Sequence, residues 1–321
     1  MRSTRFLLCA ALALVLPMGN IALAQGYPAK PVAVISAFPP TTLDFLVGLA
    51  EGPFRAKFGQ PLAIEHRPGA GGNIAAEAVV KSAPDGYTLL VTTDTVVTVN
   101  PRLYRNLKFK ADADLVPVIY LANTSQTLVC HPSVPVRTVT ELVAHAKTHD
   151  MAYASGGNGV PGHLAAEMFL AATGLRMKHV AYKGPNAAMQ DMIAGNVQCG
   201  FLSTAVVMPQ VKGGRLTGLA VTTPTRSPIA PELPTMIEAG IAGYEATFGD
   251  VLLAPRGTPP AVIAALNETI GAALSQPDVK GKMVARGVEY VANTPEQAAA
   301  RVRREADKWA GVVERLGLKA D

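Results

Sequence analysis

The amino-acid sequence predicts an α/β fold made of repeated strand–helix units. Short apolar segments rich in β-branched residues alternate with longer segments of helical periodicity along the chain. The first of them, 32–38, is apolar enough for a parallel strand buried on both faces. Two glycine-rich segments, 67–73 and 153–163, each join a strand to a helix. Repeated units of this kind favour largely parallel sheets.

Local signals place the elements in order. The turn Asp85-Gly86-Tyr87 leads into a strand, and Pro161 suits the first turn of a helix. The last helix carries a charged face opposite apolar residues such as Trp309, which we expect in the core. We expect strands at 32–38, 62–65, 87–92, 116–122, 127–131, 151–154, 178–181, 197–202, 216–222 and 251–254. We expect helices at 44–58, 73–82, 140–149, 163–173, 187–194, 260–275, 278–286 and 295–316.

The first 24 residues have the pattern of a secretory signal peptide. Two arginines precede an apolar run at 6–16, which is too short to span a bilayer, and Ala22-Leu23-Ala24 forms a cleavage motif. Cys9 lies inside the apolar run rather than at the cleavage point, so we expect no lipid anchor. The sequence therefore predicts a soluble, exported chain that begins at Gln25 and is long enough for two domains.

Charge gives no indication of nucleic-acid binding. Loss of the two signal arginines lowers the formal net charge from +5 to +3. The remaining charges are mixed along the chain with no basic run, so we expect no nucleic-acid partner.

Two cysteines remain after cleavage, Cys130 and Cys199, and both lie in apolar strand segments. Export into an oxidising compartment permits a disulfide, but isolated cysteines in such segments are more often buried thiols. We expect thiols and leave the bridge as the alternative.

The two glycine-rich segments predict binding sites for anions. Each ends at a helix start, where backbone N–H groups lack partners inside the helix and the helix dipole is positive. Main chain alone can hold an anion at such a place. Two such loops far apart in one chain suggest a ligand held from two sides.

Other functional interpretations of these residues have less support in the sequence. Gly157 to Gly162 matches the dinucleotide pattern G-x-G-x-x-G, but the acidic residue expected about 20 positions later is absent, and neither glycine loop has the ending of a phosphate-binding loop. Ser155 with His163 as base would suggest an exported hydrolase, yet no nucleophile elbow surrounds this serine. His163 and Glu167 share a helix face without a second metal-type pair. We expect no cofactor, no metal and no catalysis.

Several longer segments carry a family resemblance. They are RPGAGGNIAAEAVVKSAPDGYTLL at 67–90, YASGGNGVPGHLAAEMF at 153–169, HVAYKGPNAAMQDMIAGNV at 179–197, LPTMIEAG at 233–240 and APRGTPP at 254–260. With them the chain resembles the periplasmic solute-binding receptors of tripartite tricarboxylate transporters, the Bug (Bordetella uptake gene) type. These segments cover nearly the whole mature chain.

The resemblance implies a two-lobed periplasmic-binding-protein fold of type II, with two crossovers and a ligand cleft between the lobes. Residues 1–24 are then the signal peptide. Residues 25–123 and 247–321 form the first lobe, and residues 124–246 form the second.

The first loop departs from the family pattern. These receptors usually have Pro-Pro or Pro-Ala, then two glycines, and soon after an aspartate. Here Thr41 and Thr42 follow the prolines, both glycines are gone, and the loop is one residue shorter. We expect the threonine hydroxyls to contact the ligand, with a remodelled loop as the alternative. Arg67 is a candidate cation for a carboxylate ligand, but we expect it to be structural.

The candidate ligand-binding residues lie in the loops 38–44, 71–73 and 155–163 and at neighbouring strand ends. They are Phe38, Pro39, Pro40, Thr41, Thr42, Asp44, Gly71, Gly72, Asn73, Thr93, Asp94, Ser155, Gly156, Gly157, Asn158, Gly159, His163, Tyr182, Lys183 and Thr204.

The resemblance implies a monomeric periplasmic receptor that binds a small carboxylate and delivers it to the permease subunits of a tripartite tricarboxylate transporter. One alternative is the exported α/β hydrolase that uses Ser155. Another is a sensing subunit for a membrane signalling partner, which would share the fold and the site. The sequence does not identify the carboxylate.

Overall fold

The computed structural model describes residues 26–319, so the expected signal peptide and its cleavage site lie outside the described residues. These residues form two α/β lobes, each on a five-stranded sheet. The first sheet has the order β2-β1-β3-β10-β4, from β1 (Val32–Ser36), β2 (Leu62–His66), β3 (Thr88–Thr93), β4 (Leu115–Thr124) and β10 (Phe248–Pro255). The second has the order β7-β6-β8-β5-β9, from β5 (Gln126–Cys130), β6 (Ala152–Ser155), β7 (Lys178–Ala181), β8 (Cys199–Ser203) and β9 (Thr217–Val221).

Twelve α-helices occur between residues 26 and 319. They are α1 (Thr42–Phe58), α2 (Asn73–Val80), α3 (Thr95–Thr98), α4 (Asn100–Leu103), α5 (Ala111–Asp114), α6 (Val139–Ala146), α7 (Pro161–Thr173), α8 (Pro185–Ile193), α9 (Thr204–Lys212), α10 (Pro260–Ser275), α11 (Pro277–Ala285) and α12 (Pro295–Leu316). The sequence did not predict α3, α4, α5 and α9. None of the helices in this range has the length and apolar character needed to cross a bilayer.

The α/β class and the two-lobed arrangement are confirmed, and the sheets are largely parallel as expected, since four of the five strands in each sheet run in the same direction. β1 pairs in parallel with β2 and β3, and β6 with β7 and β8. β10 is antiparallel to both its neighbours, and so is β5.

The two crossovers explain these antiparallel strands. β4 and β5 are separated only by Ser125, so the chain passes directly from the first sheet to the second. The chain returns to the first sheet at β10. A strand that enters a lobe from the cleft runs away from the cleft, whereas its neighbouring strands run toward the cleft. Each sheet therefore contains one reversed strand, and it is the strand that follows a crossover.

The helix α12 connects the two lobes. Its first half packs near Tyr120 and Val251 through Ala298. Its second half places Trp309 and Val312 in the same core as Leu164 of α7, and the fully buried Trp309 ring stacks on Phe248 at 5.1 Å. Any relative motion of the lobes must therefore be accommodated along α12.

Cys130 and Cys199 form a disulfide, so the expectation of buried thiols was wrong. The two residues are directly paired across the antiparallel strands β5 and β8, with Cα atoms 4.0 Å apart. The sequence could not give this register, because it does not show which strands are neighbours.

Candidate functional site

A cavity lies between the lobes, where the carboxyl ends of β1, β3, β6 and β8 face each other. One part of it, which we call the inner chamber, has a volume of about 90 Å³. Residues of both lobes and both crossovers line it: Phe38, Thr41, Thr42, Leu43, Thr93, Thr124, Gln126, Gly156, Val160, Pro161, Gly162, Pro185, Phe201, Leu202, Ser203, Val206 and Asp250.

A second space, the outer chamber, lies beside it and shares Phe38, Gly156 and Val160 with it. It lies between the two glycine-rich loops and has a volume of about 410 Å³. Its other lining residues are Pro39, Pro68, Gly69, Ala70, Gly71, Gly72, Tyr104, Gly157, Asn158, Ala181, Tyr182, Lys183 and Gly184.

Four helices begin at the wall of the inner chamber. Thr42 opens α1, Pro161 opens α7, Pro185 opens α8, and Ser203 is the N-cap of α9. Each helix start carries partial positive charge and backbone N–H groups that no carbonyl of the same helix accepts. Among the described residues, no lysine or arginine lines this chamber. The chamber is therefore suited to an anion held by neutral donors.

Two residues predicted to contact the ligand, Thr41 and Asp44, form the N-terminal cap of α1. The Thr41 hydroxyl accepts a hydrogen bond from Leu43 N at 3.3 Å, and Asp44 Oδ2 accepts one from Thr41 N at 3.0 Å. This is a capping box, in which the two side chains satisfy backbone donors reciprocally. Asp44 Oδ1 also contacts His66 Nε2 at 2.6 Å. Asp44 thus shapes the loop and lines neither chamber.

The loop 156–159 is held by side chains at the end of β6, in β7 and in the first turn of α7. The Ser155 hydroxyl donates to Gly157 O at 3.0 Å and lies 2.7 Å from His179 Nε2. His163 Nδ1 accepts from Gly159 N at 3.1 Å. Gly157 has a φ of 139°, which side chains with a Cβ rarely adopt. The loop conformation therefore depends on glycine and on two neutral histidines.

The histidines belong to a stacked cluster. The His163 and His179 ring centroids are 4.3 Å apart, and Tyr153 stacks on the other face of His179 at 4.7 Å. Burial lowers the pKa of His163 to about 4, and burial together with the neighbouring His163 lowers the pKa of His179 to about 4. Both rings are neutral at physiological pH, as the hydrogen bond from Gly159 N to His163 requires.

Two buried carboxyl groups lie at the ends of β3 and β10. Asp94 is 1% exposed and Asp250 is 3% exposed. Burial raises the pKa of Asp94 to about 7, and burial together with Asp94 raises the pKa of Asp250 to about 8. Arg301 favours the charged form of both, but its guanidinium lies over the Tyr120 ring and donates to Asn123 Oδ1 at 2.6 Å.

The cavity brings together twelve of the sequence-predicted residues. Phe38, Thr41, Thr42, Thr93 and Gly156 line the inner chamber. Pro39, Gly71, Gly72, Gly157, Asn158, Tyr182 and Lys183 line the outer chamber.

The remaining eight predicted residues line neither chamber: Pro40, Asp44, Asn73, Asp94, Ser155, Gly159, His163 and Thr204. Two of them hold lining residues in place, since Asp44 accepts a hydrogen bond from Thr41 N and Ser155 donates one to Gly157 O. Thr204 Oγ1 lies 2.7 Å from Ser125 Oγ and 2.9 Å from Thr127 Oγ1, which anchors the start of α9 at the first crossover. Arg67, expected to be structural, pairs with Glu65 at 2.8 Å on the surface.

Sequence reasoning missed the residues contributed by the crossovers and by β8, among them Gln126, Ser203 and Asp250. The sequence did indicate Asp250, because it is the single acidic residue in the apolar segment 248–254. The others follow only from knowing which strands are neighbours.

The geometry is also relevant to the two alternative interpretations, a hydrolase that uses Ser155 and a metal site. Ser155 is fully buried and reaches neither chamber, which does not favour its use as a nucleophile. Within residues 26–319, no group of three or more His, Cys, Asp or Glu side chains could hold a metal ion.

Comparison with known proteins gives consistent matches over almost the whole chain. The family model described as tripartite tricarboxylate transporter family receptor matches residues 48–318. BugT of Bordetella pertussis is 33% identical over 300 residues, which cover 92% of this chain and 92% of BugT.

Solved structures with bound carboxylates are similar as well. An R. palustris protein with adipate has a TM-score of 0.87 at 31% identity, covering 91% of this chain and 99% of that chain. MatC from Rhodopseudomonas palustris, with bound malate, has a TM-score of 0.83 at 28% identity, covering 89% of this chain and 100% of that chain.

Proposed function

This chain belongs to the tripartite tricarboxylate transporter receptor family, and on that premise we propose that it is a periplasmic receptor for a small carboxylate, bound in the inner chamber. The observation that carries the proposal is the convergence of four helix starts on one chamber wall. A carboxylate placed there accepts hydrogen bonds from main-chain N–H groups, and each such bond to a charged acceptor contributes about 1.5–3 kcal/mol.

The chamber size supports a small ligand. Its volume of about 90 Å³ leaves room for a small ligand only. The apolar wall, which includes Phe38, Leu43 and Phe201, suits the carbon chain of a carboxylate. The adipate and malate bound by two similar proteins belong to the same chemical class.

Titration calorimetry with succinate, malate, adipate, citrate and benzoate tests this proposal. We expect at least one of these carboxylates to bind with a one-to-one stoichiometry. A neutral analogue of the tightest binder, such as its diamide, serves as the control and should not bind. Equal binding of the acid and the diamide would contradict an anion site.

We also propose that the mature receptor is an exported monomer that delivers its ligand to transporter permease subunits. N-terminal sequencing of periplasmic material should then begin at Gln25. Gel filtration should give the mass of one chain with or without ligand. Loss of carboxylate uptake after deletion of the permease genes would support transport, whereas retained uptake and a lost transcriptional response would support sensing.

A further inference from the structure

Asp250 lies on the wall of the inner chamber and on none of the helix starts. It pairs with Thr93 across β3 and β10, and Thr93 also lines the chamber. Side chains alternate along a strand. Leu252 packs in the core beneath α1, whereas Val251 and Leu253 pack with Tyr120 on the opposite face. Asp250 therefore points to the α1 side of the sheet, where the chamber is.

One oxygen of this carboxyl group lacks a partner. Among the described residues, Asp250 Oδ2 has no hydrogen bond, although the residue is only 3% exposed. Buried polar atoms are nearly always paired, because an unpaired one retains its full desolvation cost. A carboxyl group that lines a ligand chamber and has a buried oxygen without a partner is free to hydrogen-bond to a ligand bound there.

The charged groups near Asp250 do not neutralise it from the chamber side. Arg301 of α12 lies across the sheet, on the face toward which Gly249 points, and is engaged with Asn123 and Tyr120. Asp94 adds negative charge at the end of β3, and Glu305 of α12 adds more beside Asp94. On the α1 side, the acid Asp44 is already held by the cap and His66.

We propose that Asp250 determines ligand specificity as a neutral carboxylic acid, whose O–H donates a hydrogen bond to an oxygen atom of a carboxylate held in the inner chamber. This inference rests on the proposed function. An ionised Asp250 would repel the anion that the four helix starts attract. Burial raises its pKa to about 8, so the proton is present at neutral pH.

Two consequences follow for the ligand. The class that fits is a carboxylate that presents only oxygen acceptors to this wall, so malate should bind more tightly than aspartate, which carries an ammonium group in place of the hydroxyl. Binding should also be coupled to the proton on Asp250. Because the anion binds only the protonated form, affinity should be constant below about pH 7 and should fall up to tenfold per pH unit above about pH 8.

The experiment measures the affinity of succinate, malate, adipate and aspartate by calorimetry between pH 6.5 and 9.5, in buffers of different ionisation enthalpy. For wild type we expect proton uptake on binding above pH 8. Asp250→Asn keeps a neutral donor, so its affinity at pH 7 should stay within about tenfold of wild type and show no fall at high pH. Asp250→Leu should lose at least tenfold at pH 7.

Asp94→Asn identifies the titrating carboxyl. It should retain the pH dependence with its midpoint at lower pH, because the negative charge of Asp94 raises the pKa of Asp250. Circular dichroism confirms that each variant is folded.

Several results would overturn the inference. One is a wild-type pH profile that Asp250→Asn leaves unchanged. Another is tighter binding of aspartate than malate that Asp250→Asn abolishes, since that would show an ionised acceptor. A wild type that binds none of these probes at any pH overturns the proposed function as well, so the two failures are distinguishable.

Discussion

At the scale of single residues, the binding loop depends on a glycine that no other residue replaces well. Gly157 has a φ of 139°, and an added Cβ would lie 3.3 Å from Tyr182 O. We predict that Gly157→Leu lowers carboxylate affinity at least a hundredfold, because the loop 156–159 can no longer keep its path beside both chambers. Calorimetry measures the affinity, and circular dichroism confirms folding.

Gly174 provides the matched control. It also has a positive φ, of 68°, but it ends α7 where an added Cβ meets nothing within 4 Å. Gly174→Leu should cost about 1–2 kcal/mol of stability through backbone strain while leaving affinity unchanged. Equal losses of affinity in both variants would mean that strain, and not the loop, determines binding.

The buried histidines predict an acid sensitivity. A histidine with a lowered pKa in the folded state contributes stability that is fully present above the unfolded pKa of about 6.5 and is lost as the pH falls through about 4. We expect urea titrations to show a falling free energy of unfolding between pH 6.5 and 4, with His163 accounting for about 2–3 kcal/mol.

The variant His163→Gln should weaken this pH dependence, since glutamine can accept from Gly159 N without taking up a proton. The exposed His149→Gln is the control and should leave the dependence as in wild type. An unchanged dependence in His163→Gln would show that His163 does not hold the loop in this way.

At the scale of elements, Thr41 and Thr42 at the start of α1 differ in role, although both were predicted to contact the ligand. The Thr41 hydroxyl is used as a helix cap, whereas no cap is formed by the neighbouring Thr42, which lines the inner chamber. We predict that Thr41→Ala costs about 1 kcal/mol of stability and that Thr41→Ser does not. Thr42→Ala should instead change carboxylate affinity by a few-fold to about tenfold.

Chemical denaturation and a calorimetric carboxylate panel measure these two effects. If Thr41→Ala changed ligand ranking without loss of stability, the assignment of the cap would be wrong.

The disulfide joins neighbouring strands of the second sheet and closes a long segment. Cys130 and Cys199 are 69 residues apart in the chain. In the chain-entropy model, a loop of this length stabilises the fold by about 4 kcal/mol. The double variant Cys130→Ala/Cys199→Ala should lose roughly that amount in urea titration, and reduction of wild type should do the same. A loss below about 1 kcal/mol in both experiments would contradict this.

The element scale also shows what the sequence could give. Long periodic segments such as 260–275 and 295–316 were predicted with the bounds that the structure has, because their helical faces and proline starts are local signals. The short helices α3 to α5 and the helix α9, with its internal Pro209, were missed. The T-x-x-D pattern at 41–44 is a capping signal, although Thr41 and Asp44 were both predicted as ligand contacts.

At the scale of the whole molecule, the lobes and crossovers were predicted through the family resemblance, whereas the residue patterns alone gave only the α/β class. The reversed strands β5 and β10 could not be read from composition, because direction follows from the path of the chain between sheets. For the same reason Asp250 and Gln126 were absent from the predicted site. They line the chamber because residues next to both crossovers contribute to its wall.

The central claim is that a small carboxylate lies in the inner chamber and is held by helix starts. The most direct test is a crystal structure with the tightest-binding carboxylate of the panel. We predict its carboxylate oxygens at hydrogen-bond distance, about 2.7–3.2 Å, from backbone N–H groups in the first turns of α1, α7, α8 or α9. A carboxylate bound in the outer chamber through Lys183, or outside the cleft altogether, would contradict the account.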